Sequence, residues 1–161
     1  MRLGPRLLVA VALAALAGAA VPAAAEEVTR DSYRDEVEPI CKVNTEANER
    51  IFAGARAEVR EGKYRAAARR FDRASRALKQ TLARLRVVPR PPADESRLER
   101  WFREIKKEVV LFEATAAKLR AGNKFAAQRL VVRLIHQATA ANSVVIPFQF
   151  RYCQLEPARF T

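Results

Sequence analysis

Histidine is almost missing from this chain: His136 is the single one among 161 residues. On a helical wheel it falls opposite Leu134, Ala138 and Ala141, so it reads as a surface residue. A histidine acting as general base needs an orienting carboxylate, and none is spaced to serve it. No Glu-x-x-His pair occurs, which excludes di-iron bundle chemistry, and no Cys-x-x-Cys-His occurs, which excludes covalent haem attachment. Glycine is scarce as well, with 5 in all, and none belongs to a phosphate-cradling loop or a Gly-x-Ser-x-Gly elbow. These absences point to a protein that is not an enzyme and that holds neither metal nor cofactor.

Cysteine is limited to Cys41 and Cys153. Their meaning depends on the compartment, and the N-terminus indicates which one. Arg2 and Arg6 make a basic start, Leu7–Ala19 an apolar run, and Ala23, Ala24 and Ala25 a small-residue exit before Glu26. Residues 1–25 therefore read as a secretory signal. The alternative is an uncleaved anchor, since Leu7–Ala25 is nearly long enough to span a bilayer. No cysteine follows the apolar run and no Arg-Arg pair precedes it, which argues against lipid anchoring and twin-arginine export. The expected location is secreted, or the extracytoplasmic surface of the cell envelope. In an oxidising compartment a lone pair of cysteines is most simply a disulfide.

What the chain has in quantity is helical periodicity. The expected domain covers 26–161, with helices over about 31–61, 63–87, 94–121 and 123–145 and an extended tail over 147–161. Val37, Ile40, Ala47, Ile51 and Ala55 share one face of the first, and Pro39 inside it marks either a kink or the true first turn. Tyr64, Phe71, Leu78 and Leu85 share a face of the second, and Pro89-Arg90-Pro91-Pro92 ends it as a stiff linker. Leu98, Trp101, Ile105, Val109 and Phe112 form the cleanest stripe, on the third. Phe148-Gln149-Phe150-Arg151-Tyr152 alternates aromatic with polar, which suits a strip laid across the bundle.

A shift of 60 residues aligns Val59-Arg60-x-Gly62 with Leu119-Arg120-x-Gly122, and Ala66, Ala67, Arg69 and Arg73 with Ala126, Ala127, Arg129 and Arg133. Each copy is a helix, a glycine turn and a second helix. Two such αα-hairpins bury their apolar faces against each other, which predicts an all-α, up-down-up-down four-helix bundle. That topology brings the start of the first helix and the end of the fourth to one pole, where Cys41 and Cys153 can meet.

Gly62-x-Tyr64-x-x-Ala67-x-x-x-Phe71-x-x-Ala74 is similar to the second half of a tetratricopeptide repeat over a short stretch. Ile40-Cys41-Lys42-x-Asn44, the proline-rich centre, Leu119-Arg120-Ala121-Gly122 and Arg151-Tyr152-Cys153 together resemble a group of secreted helical proteins of high-GC bacteria. The resemblance implies the helical fold and the disulfide, and no activity.

Two sets of residues remain as candidate sites. From Lys63 to Arg90 the chain is basic with a single acid, Asp72, and the overall formal charge is +12. Arg65, Arg69, Arg73 and Arg76 lie within about 80° of one another on the helix, and Lys79 and Arg84 extend the basic run. Such a stripe suits anionic envelope polymers or lipid head groups, and export disfavours genomic nucleic acid. An acidic first helix, carrying Glu46, Glu49, Glu58 and Glu61, stands ready to neutralise part of it. The second set is polar and sits where core is expected. Asn44 lies within the first apolar stripe, Asn48 flanks it, and Asn142 lies near the same pole. Asn44 and Asn48 read either as a network that sets helix register or, with Asn142, as the lining of a small polar pocket.

Overall fold

The first helix, α1 (Arg30–Phe52), starts from a reciprocal cap. The Thr29 hydroxyl accepts the Ser32 backbone N–H, and the Ser32 hydroxyl accepts the Thr29 backbone N–H. The computed structural model describes residues 27–156. The secretory signal read at 1–25 and the end of the tail, 157–161, lie outside the described residues. α1 runs unbroken through Pro39, which sits on the exposed face with Asp35, the residue whose carbonyl it leaves without a helical donor.

The expected helix over 31–61 is in fact two. α1 stops at Phe52, and a short α2 (Ala55–Arg60) follows a left-handed residue, Gly54, with φ of 84°. Glycine takes that conformation without the Cβ penalty of other residues, so the break is local in origin. A distant side chain then secures it. The Arg70 guanidinium donates to the Ile51 carbonyl at 2.6 Å and forks onto both Glu58 oxygens at 2.7 Å, tying the end of α1 and α2 to the next helix. Glu58 is thus a paired strut between α2 and α3.

α3 (Tyr64–Arg86), α4 (Glu95–Arg120) and α5 (Lys124–Val144) complete the set, with short 3-10 turns at Pro92–Asp94 and Ile146–Phe148. The glycine turns that open α3 and α5 match bond for bond. Lys63 N–H reaches the Glu58 carbonyl and Gly62 N–H that of Val59; Asn123 N–H reaches the Lys118 carbonyl and Gly122 N–H that of Leu119. Both are Schellman turns, so the 60-residue correspondence seen in the sequence is also a structural one.

The protein is an all-α, up-down-up-down four-helix bundle of two αα-hairpins, closed by a disulfide between Cys41 and Cys153. Arg30 at the start of α1 meets Asp94 at the start of α4, while Phe52, Phe71 and Phe112 cluster at the other pole, ring centroids 5.0–6.0 Å apart. The most extensive packing joins α3 to α4 and α4 to α5, then α1 to α3. Between α1 and α5 lies the tail. Its expected alternation holds from Phe148 to Arg151, with Phe148 and Phe150 buried and Gln149 and Arg151 exposed, and lapses at Tyr152, which is only half-buried while Cys153 turns inward. Its path is not a plain extended strip, because Gln149 is left-handed with φ of 52° after the 3-10 turn.

Asp94 is buried at the proline linker and is held by Arg30 at 2.5 and 2.9 Å and by Arg97 at 3.3 Å. The Arg30 hydrogen bonds, first among the causes, keep its carboxyl below the usual range. Its contribution to stability is therefore present above the ordinary carboxylate pKa and lost as pH falls through the depressed one. Asp94→Asn is expected to lower the urea midpoint at neutral pH, with the gap to the natural protein closing in strong acid.

Candidate functional site

Helix α3 divides sharply by face. Ala67, Phe71, Ala74, Leu78, Leu82 and Leu85 are buried, whereas Arg65, Arg69, Arg73, Arg76, Lys79 and Arg84 are all exposed. Lys79 is taken by Glu113. The five arginines meet no carboxylate within ion-pair distance among the described residues. The acids that the sequence placed nearby are engaged elsewhere: Glu46 with Lys42, Glu58 with Arg70, Glu61 with Lys63, and Asp72 with Arg120. Arg69, Arg73 and Arg76 border a shallow depression of about 340 Å³ whose two acids, Glu58 and Asp72, are those already paired. The expected neutralisation is therefore partial: Glu58 and Glu61 take Arg70 and Lys63 of the basic run, Glu46 takes Lys42 of its own helix, and the five exposed arginines stay outside these pairs.

At the disulfide pole, Asn44 and Asn48 are 8% and 9% exposed and line a cavity of about 220 Å³. Cys41 and Thr45 of α1, Leu78, Thr81 and Leu85 of α3, and Trp101 and Ile105 of α4 form its walls, with the tail as cover. Asn44 Oδ1, Asn48 Oδ1 and Trp101 Nε1 are buried and have no hydrogen-bond partner in the protein. The two asparagines, one helical turn apart, thus form no network with each other that would set register. Asn142 is not part of this cavity. Its carboxamide pairs with the Leu155 backbone, donating to the carbonyl at 2.9 Å and accepting from the N–H at 2.8 Å. Periodicity placed Asn142 at the right pole but could not foresee that the tail would claim it.

The tail is fastened from both sides. Glu38 accepts the Arg151 and Tyr152 N–H groups, and the Thr45 hydroxyl donates to the Tyr152 carbonyl at 3.3 Å. Another buried group went unnoticed in the sequence. Glu108 on α4 is 2% exposed, its Oε2 has no partner, and burial alone pushes its carboxyl up to about 8. The signal was there: Glu108 follows Trp101 and Ile105 by seven and three positions, which places it on the same stripe.

A larger groove of about 450 Å³ at the opposite pole is walled by Val59, Phe71, Leu119, Ala127 and Val131, and it offers no unpartnered buried polar group among the described residues. His136 is exposed. Among the described residues, no three or more His, Cys, Asp or Glu side chains stand together as metal ligands, and no helix is long and apolar enough to cross a membrane. Neither a protein-family model, a curated protein nor a solved structure matches the chain.

Proposed function

We propose that this is an exported, non-enzymatic binding module of the cell envelope, holding anionic polymers or lipid head groups on the arginine face of α3. The observation that carries the reading is the set of exposed arginines, Arg65, Arg69, Arg73, Arg76 and Arg84, left unpaired while the neighbouring acids are engaged. A folded protein gains little from leaving such charges crowded on one helix, and phosphate or carboxylate groups would relieve their repulsion. Export rests on the signal-like residues 1–25 and is consistent with the Cys41–Cys153 disulfide.

The test is co-sedimentation of the protein lacking residues 1–25 with anionic and neutral liposomes, with a soluble polyphosphate as competitor, over a salt series. Binding to anionic vesicles should fall as salt rises, because exposed charges are screened over about 8–10 Å at physiological strength. A basic side chain near an anionic surface contributes about 1 kcal/mol, so Arg69→Gln, Arg73→Gln and Arg76→Gln together should weaken binding roughly a hundredfold. Displacement by polyphosphate would indicate general recognition of phosphate polymers; its failure to compete would indicate recognition of a lipid surface. Binding that the triple substitution leaves unchanged would remove the arginine face from consideration.

A further inference from the structure

We propose that the groove at the phenylalanine pole, between α2 and α5, binds a single-chain anionic amphiphile of the fatty-acid type. Its alkyl chain lies on the valine walls and its carboxylate at Arg60 and Lys124. The site shares no residue with the α3 arginine set and does not rest on it. The groove exists because the seam between the first and last helices is filled at one pole only. The tail fills it at the disulfide pole. At the other pole α1 has already ended at Phe52, and the short α2 packs on α3 without comparable contact with α5. What remains is a space of about 450 Å³, within the range of roughly 300–1,000 Å³ usual for small-molecule sites.

The groove is apolar where it is deep and cationic where it is open. Phe71 and Leu119 at its base are almost fully buried, Val59 and Val131 are half-buried, and Val132 is 53% exposed. Phe125, 74% exposed and two helical turns before Val132 on the same face of α5, carries the apolar surface past the rim. Arg56, Arg60 and Lys124 line the groove, and no acid does. α5 contains no acid at all, and Glu58, Glu61 and Asp72 are committed to Arg70, Lys63 and Arg120. A hydrophilic anion would answer these cations and leave the valines wet; an uncharged apolar molecule would do the reverse. An anionic amphiphile answers both. A docked helix, about 10–12 Å across, would fill such a volume with roughly a single turn, whereas an alkyl chain lies in it lengthwise.

The test is calorimetric titration of residues 26–161, which hold all the helices, the tail and the bridge. Octanoate, decanoate and dodecanoate are added below their micelle concentrations, beside dodecyltrimethylammonium as a cationic analogue of similar chain length. Binding should saturate and tighten roughly fourfold for each methylene added, and the cationic analogue should bind about tenfold more weakly or not at all. Val132→Glu, at an exposed position that the fold tolerates, sets an acid in the groove and should weaken dodecanoate binding about tenfold or more. Arg60→Gln with Lys124→Gln should weaken it roughly fivefold, with thermal melting to check that each variant is folded. Arg69→Gln, Arg73→Gln and Arg76→Gln together should leave it unchanged. The proposal is overturned if dodecanoate shows no saturable binding, if affinity does not grow with chain length, or if the cationic analogue binds equally well. It is also overturned if folded Val132→Glu binds as before, or if the triple arginine substitution abolishes binding, which would assign the anion to the α3 face instead.

Discussion

Replacing Cys41 and Cys153 together by alanine is expected to lower the unfolding free energy by roughly 4–5 kcal/mol, read from urea unfolding under oxidising conditions. The cysteines are 112 positions apart, so the bridge closes nearly the whole domain into one loop and removes much of the freedom of the unfolded chain. With net stabilities of roughly 5–15 kcal/mol being usual, that loss would leave little in reserve. The native state is affected too. Cys153 lies in the middle of the tail that separates α1 from α5, and without the bridge that segment relies on Glu38, Thr45, Asn142 and the rings of Phe148 and Phe150. A loss below about 1 kcal/mol would mean that these contacts alone hold the tail and that the bridge adds little to the entropy balance. Mass measurement before and after reduction checks that the bridge is present in the natural protein.

Glu108→Gln is expected to raise stability by about 2–3 kcal/mol at pH 7, and to change it little at pH 4. Burial raises the Glu108 carboxyl from its ordinary 4.5 to about 8, with no charged partner contributing to the shift. The folded protein therefore keeps a proton that the unfolded chain releases. Stability from this group is full below the unfolded value and declines as pH rises toward the folded value, by about 1.4 kcal/mol per pH unit. Glutamine has the same shape and carries no proton to lose, so the decline should vanish in the variant. The gain is less than the whole titration effect because the buried amide stays unpartnered. Asp94, Glu58, Glu104 and Glu113 act in the opposite direction, since ion pairs and hydrogen bonds lower their carboxyls and their contribution is lost in acid. Comparing the variant with the natural protein cancels those groups. An unchanged pH profile in Glu108→Gln would mean that Glu108 is ionised in the folded state.

Much of this architecture was legible in the chain because it follows from local rules. Apolar residues at steps of three and four placed α3, α4 and α5 to within a residue or two, the proline run ended α3, and the matching Gly62 and Gly122 turns announced two hairpins. The pairing of Cys41 with Cys153 was readable because they are the only two cysteines and the up-down-up-down order lets them meet. The exposed arginines of α3 were also readable, because a helix that buries Phe71 and Leu78 must turn Arg69, Arg73 and Arg76 outward.

What periodicity could not supply was the identity of the side chain arriving from another segment. Arg70 belongs by position to the basic run, yet it clamps Glu58 and the end of α1, because the break at Gly54 turns α2 toward it. Asn142 shares its chemistry with Asn44 and Asn48, yet the tail claims it and leaves the other two unpaired. Trp101 read as plain core, and it is, but the packed bundle brings no acceptor to its N–H. Sequence alone determined which faces turn inward, because burying apolar surface is a property of each helix by itself. Tertiary structure decided which buried polar groups are satisfied, because a hydrogen bond needs a partner within about 3 Å and only the assembled chain brings one there.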